Sequence, residues 1–502
     1  MASLKAFVLA ALLSSVSGLA GQYPLLESPN QDRPLVDTEA LQSKISGEKL
    51  LSRAKDLYTL AELSYHERNR PTREIGSAGH DATLQYIWAT LAKLGNYYNI
   101  SEQSLPANLG EVYESRLVIA DEVIKNASAM SLTPPTHENE PVRGILVLIK
   151  DNGCSPSDYP VEVRGNIAFI ERGRCSFGEK SKLAGRAGAL AAVIFNNEAG
   201  TLHGTMGTPD PEHVATFGIS AEEAKDILKE LKDGATIDTI AYIDSTVQTI
   251  QTLNVVAQTV EGDPENCVML GAHSDSVGEG PGINDDGSGT LSLLEVANHL
   301  TKFRVNNCVR FAWWAAEEEG LLGSNFYALS LSETENMKIR LFMDYDMMAS
   351  PNFAYQIYNA TNDEDPIGSQ QLRDLYVDWY TEHELNYTFI PFDGRSDYDG
   401  FIRAGIPAGG IATGAEGIKS PEEAEVFGGK AGDWYDHCYH QLCDDVGNVN
   451  VTAWEVNTKL IAHSVATYAK SFKGFPERLP LEASGPSKYA QRVKFRGNKL
   501  FI

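Results

Sequence analysis

The chain has 502 residues, 42% of them hydrophobic and 22% charged, which is ordinary globular composition and enough length for two domains with sizeable cores. Lysine and arginine number 42 against 68 aspartates and glutamates, for a formal net charge of −26. That balance argues against a nucleic-acid or anionic-membrane partner, because phosphate binding needs a basic face.

Residues 1–20, MASLKAFVLAALLSSVSGLA, combine Lys5, an apolar run from Ala6 to Leu13, and small residues at Gly18 and Ala20. This reads as a secretory signal peptide; the run is too short to span a bilayer, and no later segment is long and apolar enough to do so. A secreted, soluble mature protein is expected, with a vacuolar or lysosome-like compartment as the alternative. Six cysteines in an oxidising compartment suggest up to three disulfides. Asn99, Asn126, Asn359, Asn386 and Asn450 each open an Asn-X-Ser/Thr sequon and are candidate surface glycosylation sites.

Residues 21–38 form a polar, proline-containing lead-in or a removable propeptide. Residues 39–128 carry two helical patterns. In the second, Asp81 is the expected cap, Leu84, Ile87, Leu91 and Leu94 make one apolar stripe, and Gly95 ends it. From 129 to 247 the texture changes to short strands (GILVLI, GNIAFIERG, AAVIFNN) around the helix-like FGEKSKLAGRAGAL, with a second helix opening on a capping box at Ser220. Cys154, in a turn-rich loop, can pair with Cys175 near a strand end. This stretch holds no convincing catalytic constellation.

From 248 to 475 the rhythm is strand, glycine loop, helix. NCVMLGAH and NCVRFAWWAA read as buried strands, GSGTLSLLEVANHL and LLGSNFYALSL as helices. Such alternation predicts a largely parallel sheet covered by helices, with ligands at the carboxyl ends of the strands. Cys267 and Cys308 stand at similar positions near the starts of two strands expected to be neighbours. Residues 476–502 read as a basic, irregular C-terminal extension.

Chemistry-bearing residues gather at those strand ends. His273 and Asp275 are two apart, so in extended chain both side chains point the same way. Asp285 and Asp286 follow on a glycine-rich loop that lets the backbone crowd close to an ion. Glu317, Glu318 and Glu319 follow Trp313 and Trp314, an apolar approach in which carboxylates need a compensating cation. A third strand brings Asp344 and Asp346, and DWYDHCYHQLCDD brings His437 and His440 beside Cys438 and Cys443. Mixed imidazole and carboxylate ligation suits zinc, and a bridging carboxylate is typical of two-metal hydrolytic sites.

The ordered segments GAHSDSVGEGPGINDDGSG, FAWWAAEEEGLLGS, DYDMMASPN, GRSDYDGF, GIPAGG and DHCYHQLCD resemble the successive motifs of the co-catalytic di-zinc aminopeptidases, especially the secreted bacterial and fungal leucine aminopeptidases. GNIAFIERGRCSF and KLAGRAGALAAVIFNN are similar to a protease-associated domain, a non-catalytic insert in many relatives. The resemblance implies an α/β architecture: a three-layer α/β/α peptidase domain with a mostly parallel mixed sheet, made discontinuous by a smaller β-rich α+β insert. It implies two zinc ions per chain, with His273 and Asp346 on one, Glu318 and His440 on the other, and Asp285 bridging them. By the same match Glu317 is the general base, Tyr439 donates to the developing oxyanion, and Asp275 orients His273. The peptide bond after Asp285 is expected to be cis, and Cys438 to pair with Cys443.

The substrate class implied is a peptide with a free N-terminus, its amine held by the carboxylates of Glu317 and Asp346. Met347 and Ile411 are expected to line an apolar pocket suited to leucine-like residues, and Arg395 to contact substrate or form a structural salt bridge. Ala412 stands where secreted bacterial relatives often place an aromatic, and Tyr398 replaces a frequent histidine, which leaves strict leucine preference open. The other readings are a carboxypeptidase, a one-zinc glutaminyl cyclase and a non-catalytic, receptor-like binding protein. A carboxypeptidase should show a basic cluster, the cyclase fewer ligands, and the binding protein a missing ligand or base. A monomer is expected, with no nucleic-acid or membrane partner.

Overall fold

The computed structural model describes residues 33–197, 201–202 and 204–479. The signal-peptide reading, most of the lead-in and residues 480–502 of the extension lie outside the described residues.

Three strands, Asp263–His273, Asn307–Trp314 and Ile339–Tyr345, are apolar and buried over most of their length, as strands covered on both faces must be. They pair in parallel, joined on one side by Ala408–Ala412 in the same direction. Antiparallel strands flank this group, Gln356–Tyr358 at one side and Asp238–Thr259 at the other.

Alternation along each strand sends side chains to two separate cores. Val268, Leu270, Phe311, Trp313, Leu341 and Met343 point one way, into a core closed by helices Gly47–Ala61, Ala78–Ala92, Gly287–Leu300, Ser369–Glu382 and Val451–Lys470. Met269, Ala312, Trp314 and Phe342 point the other way, against residues of Leu322–Ser330 and Tyr398–Arg403. Helices on both faces of one sheet give the expected three layers. Phe342 and Phe401 stack with ring centroids 3.7 Å apart, fixing the second helical layer to the sheet.

The second unit hangs on a ribbon. Strands Tyr98–Ile119 and Asp238–Thr259 pair antiparallel along nearly their whole length, with one bulge between Val112 and Glu114. Asp238–Thr259 belongs to both sheets: its last residues pair with Arg310–Trp313 and its first with Val142–Ile145. Beyond it, strands Val142–Leu148, Ile167–Glu171, Ala191–Phe195 and Thr216–Ile219 run parallel between two small cores, with helices Phe177–Ala187 and Ala221–Lys232 on opposite faces. Ser220 closes the predicted capping box at the start of the latter helix.

One local expectation is corrected. Helix Ala78–Ala92 is capped by Ser77, whose side chain accepts the His80 N–H at 3.2 Å, while Asp81 lies inside the first turn. Both residue types cap well, but Ser77 is fully buried and has the extended backbone a cap requires. All six cysteines pair, as Cys154–Cys175, Cys267–Cys308 and Cys438–Cys443, and Cys267 and Cys308 are register partners in adjacent parallel strands. Asn99, Asn126, Asn359 and Asn386 are exposed, whereas Asn450 is half-buried and its side chain caps Val451–Lys470 by accepting the Ala453 N–H. No helix among the described residues is long and apolar enough to cross a membrane.

Candidate metal centre

Three of the four parallel strands, Asp263–His273, Asn307–Trp314 and Ile339–Tyr345, hand polar residues to one spot at their carboxyl ends, where ligands sit in sheets of this kind. His273 ends one strand, and Glu317 and Glu318 follow the turn after Trp314 in the next. Asp346 follows Tyr345. Asp285 arrives from the loop between His273 and helix Gly287–Leu300, and its bond to Asp286 is cis. Glycine is needed on both sides of Asp285: a Cβ at Gly282 in the loop would collide with the Asp285 carbonyl, and one at Gly289 in the first turn of the helix with the Tyr345 carbonyl. Asp286 is spent on structure, accepting the N–H groups of His273, Gly289 and Met347.

The two oxygens of Asp285 face two different histidines. Oδ1 lies 3.2 Å from His273 Nε2, and Oδ2 lies 3.2 Å from His440 Nε2. His273 Nε2 is also 3.7 Å from Asp346 Oδ1, and His440 Nε2 is 3.2 Å from Glu318 Oε2. Two three-donor sets share Asp285, His273–Asp285–Asp346 and Asp285–Glu318–His440, each with its donor atoms within 4.8 Å of one another, and His273, Glu317 and Glu318 form a third such group without it. Glu317 Oε2 stands 3.9 Å from His273 Nε2, on the edge of the first set.

The donors fit divalent cations. Five carboxylates (Asp275, Asp285, Glu317, Glu318, Asp346) surround two imidazoles in a largely buried space, an arrangement that requires compensating positive charge. Burial, with Asp285 alongside, pushes Asp346 up to about 7, and burial also raises Glu317 and Glu318. His273 Nε2, Glu318 Oε1 and Asp346 Oδ1 are buried without a hydrogen-bond partner. One imidazole, one terminal carboxylate and one shared carboxylate per set is a nitrogen–oxygen donor chemistry that zinc accepts.

Neighbours orient these donors. Asp275 Oδ1 lies 3.7 Å from His273 Nδ1, and its two oxygens accept the N–H groups of Glu317 and Glu318 at 3.3 Å each, so it ties the histidine to the glutamate turn. Ser396 donates to Asp346 Oδ2 at 3.1 Å. His440 and Tyr439 sit in the loop closed by Cys438–Cys443, and the Tyr439 ring stacks on the imidazole with centroids 3.8 Å apart. Burial, followed by Asp285 and Glu416, holds the Tyr439 phenol well above its ordinary range, so it keeps its proton.

Other candidates are placed elsewhere or otherwise engaged. Arg395 pairs with Glu416 at 2.8 Å, the structural salt bridge. Met347, at φ 56°, is nearly buried beside the first donor set. Ile411 has no exposure and packs in the main core. His437 is exposed and outside both sets; its neighbours include Cys438, whose sulfur is committed to the disulfide. Asp344 is buried below Asp346, and burial together with Asp397 pushes its carboxyl far above the usual range. Two residues that hold the Asp285 loop carried no signal as such: Arg73, in the unremarkable stretch RPTREIGS, and Asp444, at the end of a motif noticed for its histidines.

The model of "Peptidase family M28" matches residues 254–465, and that of "PA domain" matches residues 142–227. The chain is 51% identical over 472 residues to aminopeptidase Y of Saccharomyces cerevisiae, covering 92% of this chain and 86% of that protein. It is 43% identical over 475 residues to leucine aminopeptidase 2 of Trichophyton equinum, covering 94% and 93%. Among solved structures, an aminopeptidase from Aneurinibacillus sp. strain AM-1 superposes with a TM-score of 0.71 at 26% identity, covering 88% of this chain and 98% of that one. A zinc aminopeptidase from Bacillus subtilis shares the fold, with a TM-score of 0.60 at 22% identity and coverage of 86% and 98%.

Proposed function

The chain belongs to peptidase family M28 and is an aminopeptidase, and on that premise we propose that it removes the N-terminal residue, preferentially leucine or another apolar one, from peptides with a free amino terminus, with the help of two zinc ions. The observation that carries this reading is the pair of donor sets sharing Asp285, with Glu317 beside them. His273 and Asp346 would hold one ion, Glu318 and His440 the other, and Asp285 both. Zinc bound there would supply Lewis acidity, polarising the scissile carbonyl and bringing a water toward a pKa of about 7.

The chain's own residues do the rest. Glu317 takes the proton from the attacking water at its carboxylate and returns it to the leaving nitrogen. The Tyr439 hydroxyl donates to the carbonyl oxygen as negative charge develops there. Glu317 and Asp346 face a cationic substrate amine, which an acylated N-terminus cannot offer. Met347 contributes to the apolar surface for the first side chain. Residues 1–20 are proposed to direct secretion, a reading supported by the pairing of all six cysteines.

The test is release of chromophore from a leucyl anilide and from its N-acetylated twin, with and without a chelator. Cleavage of the free-amine substrate alone, abolished by chelator and restored by zinc, is expected. Cleavage of the acetylated twin, or activity indifferent to chelator, would overturn the reading.

A further inference from the structure

The main chain presenting Asp285 is gripped from two sides by residues outside the donor sets. Asp444 uses both carboxylate oxygens on it: Oδ1 accepts the Asn284 N–H at 2.9 Å and Oδ2 the Asp285 N–H at 3.0 Å. From the other side Arg73, fully buried, donates to the carbonyls of Ser274, Pro281 and Gly282, and at 3.5 Å to that of Asp285. Among the described residues Arg73 forms no ion pair, so its guanidinium is satisfied by peptide oxygens of this one loop and of the strand end beside His273.

The grip joins pieces far apart in sequence. Asp444 closes the loop that carries Tyr439 and His440. The Asn284 side chain donates to Asp436, at that loop's other end, at 2.7 Å, and Asn448 donates to both Asp436 and Asp444. The histidine of one donor set and the shared carboxylate are thereby built as one unit. Arg73 couples the same carboxylate to the chain segment of the opposite histidine. Asp285 has to point one oxygen at each histidine, both at 3.2 Å, and a small rotation of its peptide would favour one set over the other. Carboxylate oxygens on two successive amides, with a planar fork on the carbonyls behind them, remove that rotation.

We infer that Asp444 and Arg73 are positioning residues that set the bridging carboxylate and through it the balance between the two metal sites. The inference rests on the proposed role of Asp285. It is tested on the full chain by zinc dissociation constants from chelator competition and by the visible absorption of the cobalt-substituted protein. Wild type, Asp444→Asn, Arg73→Lys and Asp285→Asn are compared. Asp444→Asn keeps its volume but can accept only one of the two amides, and Arg73→Lys keeps its charge but loses the fork. Each is expected to weaken zinc binding by about 10- to 100-fold and to alter the cobalt spectrum, as orienting partners of metal ligands do. Zinc affinities and cobalt spectra equal to wild type in both variants, whatever their melting temperatures, would overturn the inference. Should Asp444→Asn not fold, Arg73→Lys decides alone. Failure of the underlying reading looks different: wild type would bind no zinc, or Asp285→Asn would keep both ions.

Discussion

His80 should make this protein acid-labile by a calculable amount. It lies in helix Ala78–Ala92, is 1% exposed, and its Nε2 is 3.0 Å from the Ser274 hydroxyl. That hydroxyl donates its own proton to the Trp314 carbonyl at 2.7 Å, so it must accept from His80, which fixes the Nε2–H tautomer. Nδ1 is then buried with no partner, and a proton added there would have no acceptor. Burial lowers the pKa from 6.5 to about 4. The unfolded chain takes up the proton from about pH 6.5 downward, while the folded chain resists until about pH 4, so the stabilising contribution is complete above pH 6.5 and is lost as pH falls through that window. At 1.36 kcal/mol per unit, the difference amounts to roughly 3 kcal/mol by pH 4. His80→Gln keeps a donor for Ser274 and cannot titrate. Denaturant unfolding of the metal-free protein at pH 7, 6, 5 and 4 should show the wild type losing about 3 kcal/mol more than the variant. Parallel pH profiles for the two proteins would refute the reasoning.

Glu317→Gln should lower kcat by about 10²- to 10⁴-fold with zinc content unchanged, since it removes a proton acceptor and no metal donor; a kcat within tenfold of wild type would exclude it as the base. Ser77→Ala should cost about 1 kcal/mol in denaturant unfolding and Asp81→Ala distinctly less, because Ser77 and not Asp81 holds the capping hydrogen bond; the reverse order would contradict the cap assignment. When the chain is made through a eukaryotic secretory route, glycosidase treatment followed by peptide mass mapping should find glycans at Asn99, Asn126, Asn359 and Asn386 and none at Asn450, whose side chain caps a helix. A fully occupied Asn450 would show that the cap does not protect it.

What the sequence offered by itself was the strand–loop–helix rhythm of the peptidase unit and a pool of candidate donors, from which the family resemblance selected five. A buried apolar run such as VMLGA or FAWWAA reads as a strand covered on both faces, and a histidine or glutamate pair where it stops lies at that strand's end. His273, Glu318 and Asp346 therefore announce themselves one strand at a time, whereas Asp285 and His440 lie on loops; Cys267 and Cys308 could be matched because equivalent positions of neighbouring parallel strands meet. Tertiary structure alone decided which oxygen of Asp285 faces which histidine, that Ile411 belongs to the core, and that Arg395 pairs with Glu416. It alone showed that the chain enters and leaves the inserted unit along a ribbon of two 22-residue strands. Arg73 meets the Ser274 carbonyl across 201 positions of chain, and Asp444 meets the Asp285 amide across 159. Periodicity reports which side of a segment is buried, whereas a hydrogen bond between distant segments depends on where core packing sets them against each other. That placement is a property of the assembled layers, and no stretch of sequence carries it alone.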